Sequence, residues 1–276
     1  YLEHIKKEKK VSEGTIKTYK NVGESLPFNL LSNQTTIIKK LKELYSNPNT
    51  LQLYLNMIIL VRRFDDEETD KLIKLRNSLK DEIVKIRKDN LDNLDDKLPK
   101  FDYIKTELDN LNGIRYILNY LIVNHGLRNG SINLKFVKTL PAIEDRTENY
   151  IMVKPKEALL NINDYKTTEK YGSKQFRIKD TKFIDELKKL NLKPDDYLFA
   201  KKNGDKISNV STFNDKILNL SIDKLGQNRL FKIVVKDTLN KKDFDKLEQL
   251  SNDRGTSLEV LLKSYNLHAG NDDEKK

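Results

Sequence analysis

The apolar positions of this chain change their spacing partway along, and the change divides it. From Val11 to Ile86 they recur every three to four residues, the repeat of an amphipathic helix. Val11-Ser-Glu-Gly-Thr15 has the composition of a helix start, and Ile16, Tyr19 and Val22 follow at helical spacing. Thr35 and Thr36 precede a second run through Ile37, Ile38, Leu41, Leu44 and Tyr45. Asn47-Pro48-Asn49 interrupts the pattern, and Thr50 opens a third helix over Leu51 to Arg63. A fourth starts in the acidic Asp66-Glu-Glu-Thr69, which suits the positive end of a helix dipole, and lines up Leu72, Leu75, Leu79, Ile83 and Ile86. Residues 87–100 are charged and turn-rich and end in Pro99; they read as linker.

Beyond the linker, Phe101 to Leu111 predicts one helix, and Ile114, Ile117, Leu118, Leu121 and Ile122 mark the face of another that Gly126 stops. The period then shifts toward two. Ile132–Val137, Tyr150–Val153, Ala158–Ile162 and Gln175–Ile178 read as strands. Thr181 to Leu190 returns to helix, Tyr197–Phe199 is a short strand, and helices are expected over Asn209–Leu220, Leu230–Leu239, Asp243–Leu250 and Ser257–Tyr265. The expectation is an α+β chain: a helical domain over 1–90, a linker over 91–100, and a mixed α/β domain over 101–276 with a small antiparallel three-stranded sheet.

Composition removes several function classes. The 276 residues include no Cys and 3 His, so neither a disulfide framework nor a thiolate or His-rich metal site is expected. The longest apolar runs, Leu55–Val61 and Ile117–Val123, fall far short of the roughly 18 residues of a membrane span. The start, Tyr1-Leu-Glu-His-Ile-Lys-Lys, lacks the pattern of a secretory signal and reads as an internal boundary or a processed start of an intracellular protein. The net charge is +10, with 52 basic residues, ten of them arginine and 42 lysine. Such an excess suits a polyanion, because neutralised phosphates release counterions. A codon bias toward lysine accounts for the same excess, so charge alone leaves both readings open.

Chemistry-bearing residues stand at the ends of the expected elements. Arg128, in His125-Gly-Leu-Arg128-Asn-Gly-Ser-Ile132, lies just past a helix stop and before a strand. Lys166, in Asn163-Asp-Tyr-Lys166-Thr, lies at a hairpin tip. Tyr265 ends a late helix ten residues after Gly255.

In that order and on those elements, the three motifs resemble the tyrosine recombinase (integrase) family, in the divergent form carried by DNA viruses and mobile elements. The resemblance covers nearly the whole chain and implies a helical core-binding domain followed by an α+β catalytic domain. It implies that Tyr265 attacks a DNA phosphodiester to form a 3′-phosphotyrosyl link, with Arg128 on the non-bridging oxygens and Lys166 protonating the leaving 5′-oxygen. The residue types suit that work. A tyrosine with a pKa of about 10 needs help with its proton, a planar guanidinium fits two phosphate oxygens, and a lysine can act as general acid. No metal or other cofactor is implied. The implied partners are double-stranded DNA and further copies of the chain, a tetramer on paired sites. The implied location is a host nucleus, a viral replication compartment or a virion. The two domains would close on the duplex as a clamp, with Lys17, Lys20, Arg62, Arg63, Lys170, Lys174 and Arg177 as phosphate contacts.

The chain departs from the family pattern at defined places. The His-x-x-Arg box falls on Asn228 and Phe231, with Lys232 beside it as the remaining cation, and the later histidine position is Thr256. Ser131 stands where an acidic residue is common. Losing one preorganised donor to a developing oxyanion costs ~2.7–4 kcal/mol, or 10²–10³ in rate. Two outcomes therefore stand beside each other: a recombinase, or a relative that keeps the DNA clamp without catalysis. A type IB topoisomerase, with the same tyrosine chemistry, is a third.

Overall fold

The computed structural model describes residues 13–95, 98–207 and 226–265. The chain divides into two compact units, the first ending at Asn93 and the second beginning at Leu94. Each has its own hydrophobic core.

The first unit consists of α1 (Glu13–Ser25), α2 (Gln34–Leu44), α3 (Pro48–Phe64) and all but the last two residues of α4 (Asp70–Asp95). Ile37, Leu41, Leu55, Met57, Ile58 and Leu72 are enclosed, the positions that helical spacing puts on an inner face. Asparagines, rather than the threonines that follow them, cap two of these helices. Asn33 Oδ1 accepts from the Thr35 amide and Asn47 Oδ1 from the Asn49 amide, each at 2.9 Å. The buried Gln34 carbonyl accepts from the amides of Lys71 and Leu72 at 2.9 and 3.3 Å, so a side chain of α2 serves the start of α4. Helix α4 runs to Asp95, so the charged stretch from residue 87 is helical where composition predicts an irregular linker.

The second unit opens with α5 (Phe101–Asn110) and α6 (Gly113–His125), followed by a 3-10 turn over Asn129–Ile132. Four strands come next, β1 (Leu134–Phe136), β2 (Asn149–Val153), β3 (Ala158–Ile162) and β4 (Lys174–Ile178), with the one-turn α7 (Thr168–Tyr171) between the last two. Helices α8 (Thr181–Lys189), α9 (Gln227–Asn240), α10 (Phe244–Arg254) and α11 (Leu258–Tyr265) follow. The helix expected over Asn209–Leu220 lies outside the described residues.

The α+β class is as expected, but the sheet corrects its detail. It has four strands in the order β1-β2-β3-β4 and is mixed, since β1 runs parallel to β2 while the other two pairings are antiparallel. The connection explains the difference. Residues 137–148 give the chain room to return and re-enter in the same direction, which a tight hairpin cannot do. The segment expected as a strand at Tyr197–Phe199 instead bonds along the free edge of β1. Phe136 N donates to Asp196 O and Leu198 N to Leu134 O, each at 2.8 Å. Strand β3 is buried along its whole length, and Leu160 meets Ile117, Leu121, Phe183 and Phe231 in one core. No helix among the described residues is long and apolar enough to cross a membrane.

Candidate functional site

Arg128 owes its position to the way α6 ends. Gly126 takes a left-handed conformation, φ 60°, and its amide caps the helix on Ile122 O at 2.9 Å. A Cβ at Gly126 would run into the ring of Phe231, so glycine is needed both for the turn and for the approach of α9. Leu127 then enters the core, and Arg128 leads into the 3-10 turn with Nη1 donating to Arg254 O at 3.1 Å.

The β3–β4 connection is fixed from both ends. Asn149, buried on β2, accepts from the amides of Asn163 and Asp164 and donates to Asp164 O, all at 2.8 Å. Tyr165 Oη donates to Gly172 O at 2.7 Å, closing the connection on itself. Thr167 Oγ1 donates to Gly255 O at 2.7 Å, docking the connection on the turn between α10 and α11. Lys174, first residue of β4, carries its ammonium 4.8 Å from the ring centre of Tyr165 and donates to Asn252 O near the end of α10. Burial chiefly, together with the charge of Arg128, pushes the Lys174 ammonium down to about 8, against the pull of Asp253. Burial and Tyr171 raise the Tyr165 hydroxyl, while Arg128 lowers it. Arg128 thus acts on two groups of the connection.

The start of α9 and the end of α10 complete the junction. Gln227 donates its side-chain amide to Leu127 O. Phe231 is fully buried. Arg254, 2% exposed, lays its guanidinium 4.0 Å over the Phe231 ring. Its Nη1 donates to Gly126 O at 2.7 Å and its Nη2 to Asn228 Oδ1 at 3.1 Å. Helix α10 stops at Gly255, φ 68°, where a Cβ would meet the Tyr165 ring, the Lys174 ammonium and the Thr167 hydroxyl. Thr256 is buried, its backbone tied to Ser251 by N–H···O and Oγ–H···O bonds of 3.1 and 2.7 Å. Helix α11 begins at Leu258 and is anchored by the enclosed Leu261. Beside this junction His125 Nδ1 and Asp253 Oδ2 are 2.8 Å apart, with the imidazole stacked on Phe176.

The sequence-derived candidates fare unequally. Arg128 stands at the junction. Lys166 is exposed on the turn, and the lysine held against the α10–α11 turn is Lys174, eight positions later. Lys174 is therefore a half-buried member of the junction rather than a surface phosphate contact. Lys232 is half-buried on α9, its ammonium lowered by burial and by Arg229. Tyr265 closes α11, and its side chain lies outside the described residues. Among the clamp candidates Lys17, Lys20, Arg63 and Lys170 are exposed, and Arg177 is exposed and 3.8 Å from Glu157.

Arg62 is a correction. It is 3% exposed and donates to Glu68 O, Leu30 O and Ser32 O at 2.8, 3.2 and 2.7 Å and to the Glu67 carboxylate at 3.0 Å. Its fork closes two loops of the first unit and does not face solvent.

Sequence reasoning missed Arg254, Gln227 and Asn149. Arg254 left one trace: in a chain with ten arginines, one directly precedes the glycine of the last motif. The other two are polar residues whose roles depend on carbonyls far away in sequence.

A separate cleft of about 480 Å³ lies among α5, α6 and α9, lined by residues including Tyr116, Tyr120, Lys105 and Asp180. It contains none of the candidates, and its polar groups bond to one another, Tyr116 to Asp180 at 3.2 Å and Lys241 to Asp237 at 2.7 Å. Among the described residues no group of three or more His, Asp or Glu is arranged to hold a metal ion. No protein-family model matches this chain, and a search of curated proteins finds no match to it.

Proposed function

We propose that the second unit handles DNA phosphodiesters as a tyrosine recombinase does, with Tyr265 as nucleophile, Arg128 on the phosphate and Lys174, in place of Lys166, as proton donor. The carrying observation is the meeting of Arg128 and Lys174 at the end of α10, one turn before the helix that ends in Tyr265. Both cations rest on carbonyls at the negative end of a helix, where positive charge is favoured. A bound phosphate offers them a stronger, charge-assisted acceptor.

In this reading the Tyr265 oxygen attacks phosphorus and loses its proton to solvent. The bond from phosphorus to the 5′-oxygen breaks, and the Lys174 ammonium gives that oxygen its proton. An ammonium with a pKa near 8 is still charged at neutral pH yet gives up its proton more readily than an ordinary lysine. Rejoining runs the same transfers backward. The exposed Lys17, Lys20, Arg63, Lys170 and Arg177 add sequence-independent contacts to the backbone of the duplex. A tetramer on paired sites belongs to this reading.

A second reading, DNA binding without cleavage, draws on Phe231 and Thr256. The first is fully buried and the second nearly so, and neither side chain supplies the nitrogen donor that the resemblance puts there.

A nicked suicide duplex, whose cut strand cannot be rejoined, tests the first reading. The full chain is expected to form a covalent adduct that survives denaturation, and Tyr265→Phe to form none. A wild-type chain that binds duplex in a salt-sensitive way but yields no adduct supports the second reading. One that does neither overturns both. Relaxation of a supercoiled plasmid without magnesium distinguishes a topoisomerase.

A further inference from the structure

The position where the resemblance puts a second arginine is Phe231, and the fork absent there is present elsewhere. We propose that Arg254 makes good the absence as a positioning residue, holding Arg128 in place rather than touching phosphate. The proposal rests on the functional reading above, since it assumes that Arg128 meets a phosphate.

Burial rules out direct contact: Arg254 is 2% exposed. Its guanidinium covers the ring of Phe231 at 4.0 Å, so the charge lies against the very side chain that stands at the expected arginine position. One arm of the fork bonds Gly126 O at 2.7 Å, two residues before Arg128. The other bonds Asn228 Oδ1 at 3.1 Å, at the start of α9. The backbone carbonyl of Arg254 in turn accepts from the Arg128 guanidinium at 3.1 Å. Arg128 is therefore bracketed: the turn that carries it is held by the Arg254 side chain, and its own side chain by the Arg254 backbone.

A packing role alone does not call for arginine. Burying a guanidinium is costly unless its hydrogen bonds are met, and an apolar side chain of similar volume often serves a core as well or better. The planar fork does what an apolar residue or a lysine cannot, since it spans two fixed acceptors at once. Phe231 contributes the flat face on which the fork lies, and its ring leaves room only for glycine at position 126. The pair Phe231–Arg254 thus forms one device, with the charge moved from α9 to the end of α10.

The test is a double-mutant comparison of duplex binding. Affinity is measured for a short duplex between 50 and 200 mM salt, alongside thermal unfolding, in the full chain with Arg128→Gln, Arg254→Gln, Arg254→Lys and the Arg128→Gln/Arg254→Gln double variant. Loss of one phosphate contact lowers the salt slope by about 0.9, so affinity changes about 3.5-fold less across this range. Arg254→Gln is expected to lose as much slope as Arg128→Gln, and the double variant to lose no more than either. Arg254→Lys keeps the charge but spans only one acceptor, and is expected to lose slope too. If Arg254→Gln does not fold, Arg254→Lys carries the same comparison.

A lowered melting temperature with the slope retained, or losses that add in the double variant, overturns the proposal while the functional reading stands. Absence of salt-sensitive binding by the wild-type chain overturns the functional reading and this proposal together.

Discussion

Each unit buries an arginine at the end of a helix, and the two are used differently. Arg62, in the last turn of α3, meets three backbone carbonyls of nearby loops and the carboxylate of Glu67. Its charge is balanced on the spot, and every partner belongs to the chain segment from Leu30 to Glu68. Arg254, in the last turn of α10, reaches a carbonyl and an amide oxygen that lie 128 and 26 positions away. Its own carbonyl then receives Arg128. A buried arginine is thus not one kind of feature. Where its acceptors include a carboxylate of the same loop it closes local structure, and where they sit on distant turns it links those turns to another cation.

Four expected outcomes, beginning with the largest, put that difference under strain. Tyr265→Phe removes the covalent adduct altogether and leaves the stability of both units in place, which a gel shift and a denaturant titration read together. Arg62→Ala leaves the carbonyls of Leu30, Ser32 and Glu68 without their donor and destabilises the first unit in denaturant unfolding by about 1–3 kcal/mol for each that water does not reach. The salt slope of duplex binding by the folded chain stays at the wild-type value. A lowered slope with unchanged stability would instead put Arg62 on DNA and erase the contrast with Arg128. Gly255→Ala forces a side chain into a left-handed conformation and against Tyr165, Thr167 and Lys174, costing about 1–3 kcal/mol in unfolding of the second unit.

The smallest effect is a pH dependence set by Lys174. Its ammonium titrates at about 8 in the folded chain, against about 10.4 for an ordinary lysine. Below pH 8 the group is charged whether folded or not, and the cost of burying that charge is fully present. Between pH 8 and 10.4 the unfolded chain holds a proton that the folded chain has released, so stability rises with pH across this window. Lys174→Met is expected to flatten that rise in unfolding titrations from pH 7 to 10. If Lys174 is the proton donor as proposed, adduct formation is expected to run the other way and decline above pH 8.

The helical pattern of the first unit was legible because one amphipathic face per helix is enough to specify it. Ile37, Leu41, Leu72, Leu79 and Ile83 stand inside as their spacing predicts, while Leu44 of the same pattern is exposed. The helix starts lie two or three residues earlier than expected, since Asn33 and Asn47, rather than Thr35 and Thr50, accept from the first helical amides. The four strands could be read from alternation, but the direction of β1 could not. Periodicity says which face of a strand is buried and nothing about which neighbour it pairs with.

Within the candidate site, Arg128 was legible because a glycine stop marks its turn. Lys174 was not distinguishable from Lys166 or Lys170. All three are lysines of one connection, and only its docking on Gly255 through Thr167 turns one ammonium inward. Arg62 was misread for the converse reason: a basic residue near a helix end looks like a surface charge until the carbonyls of Leu30 and Ser32 fold onto it.

Residue type and spacing by themselves determined the helical first third, the α+β remainder, and the glycine at 126 that stops its helix. These are local properties, set by side-chain periodicity and by the backbone freedom of single residues. The tertiary structure alone decided which cations meet. Arg128, Lys174 and Arg254 are separated by 46 and 80 positions, and they converge because the turns that carry them pack on the end of α10. A charge becomes part of a site through the carbonyls and rings around it, and those arrive only when distant segments of the chain close on one another.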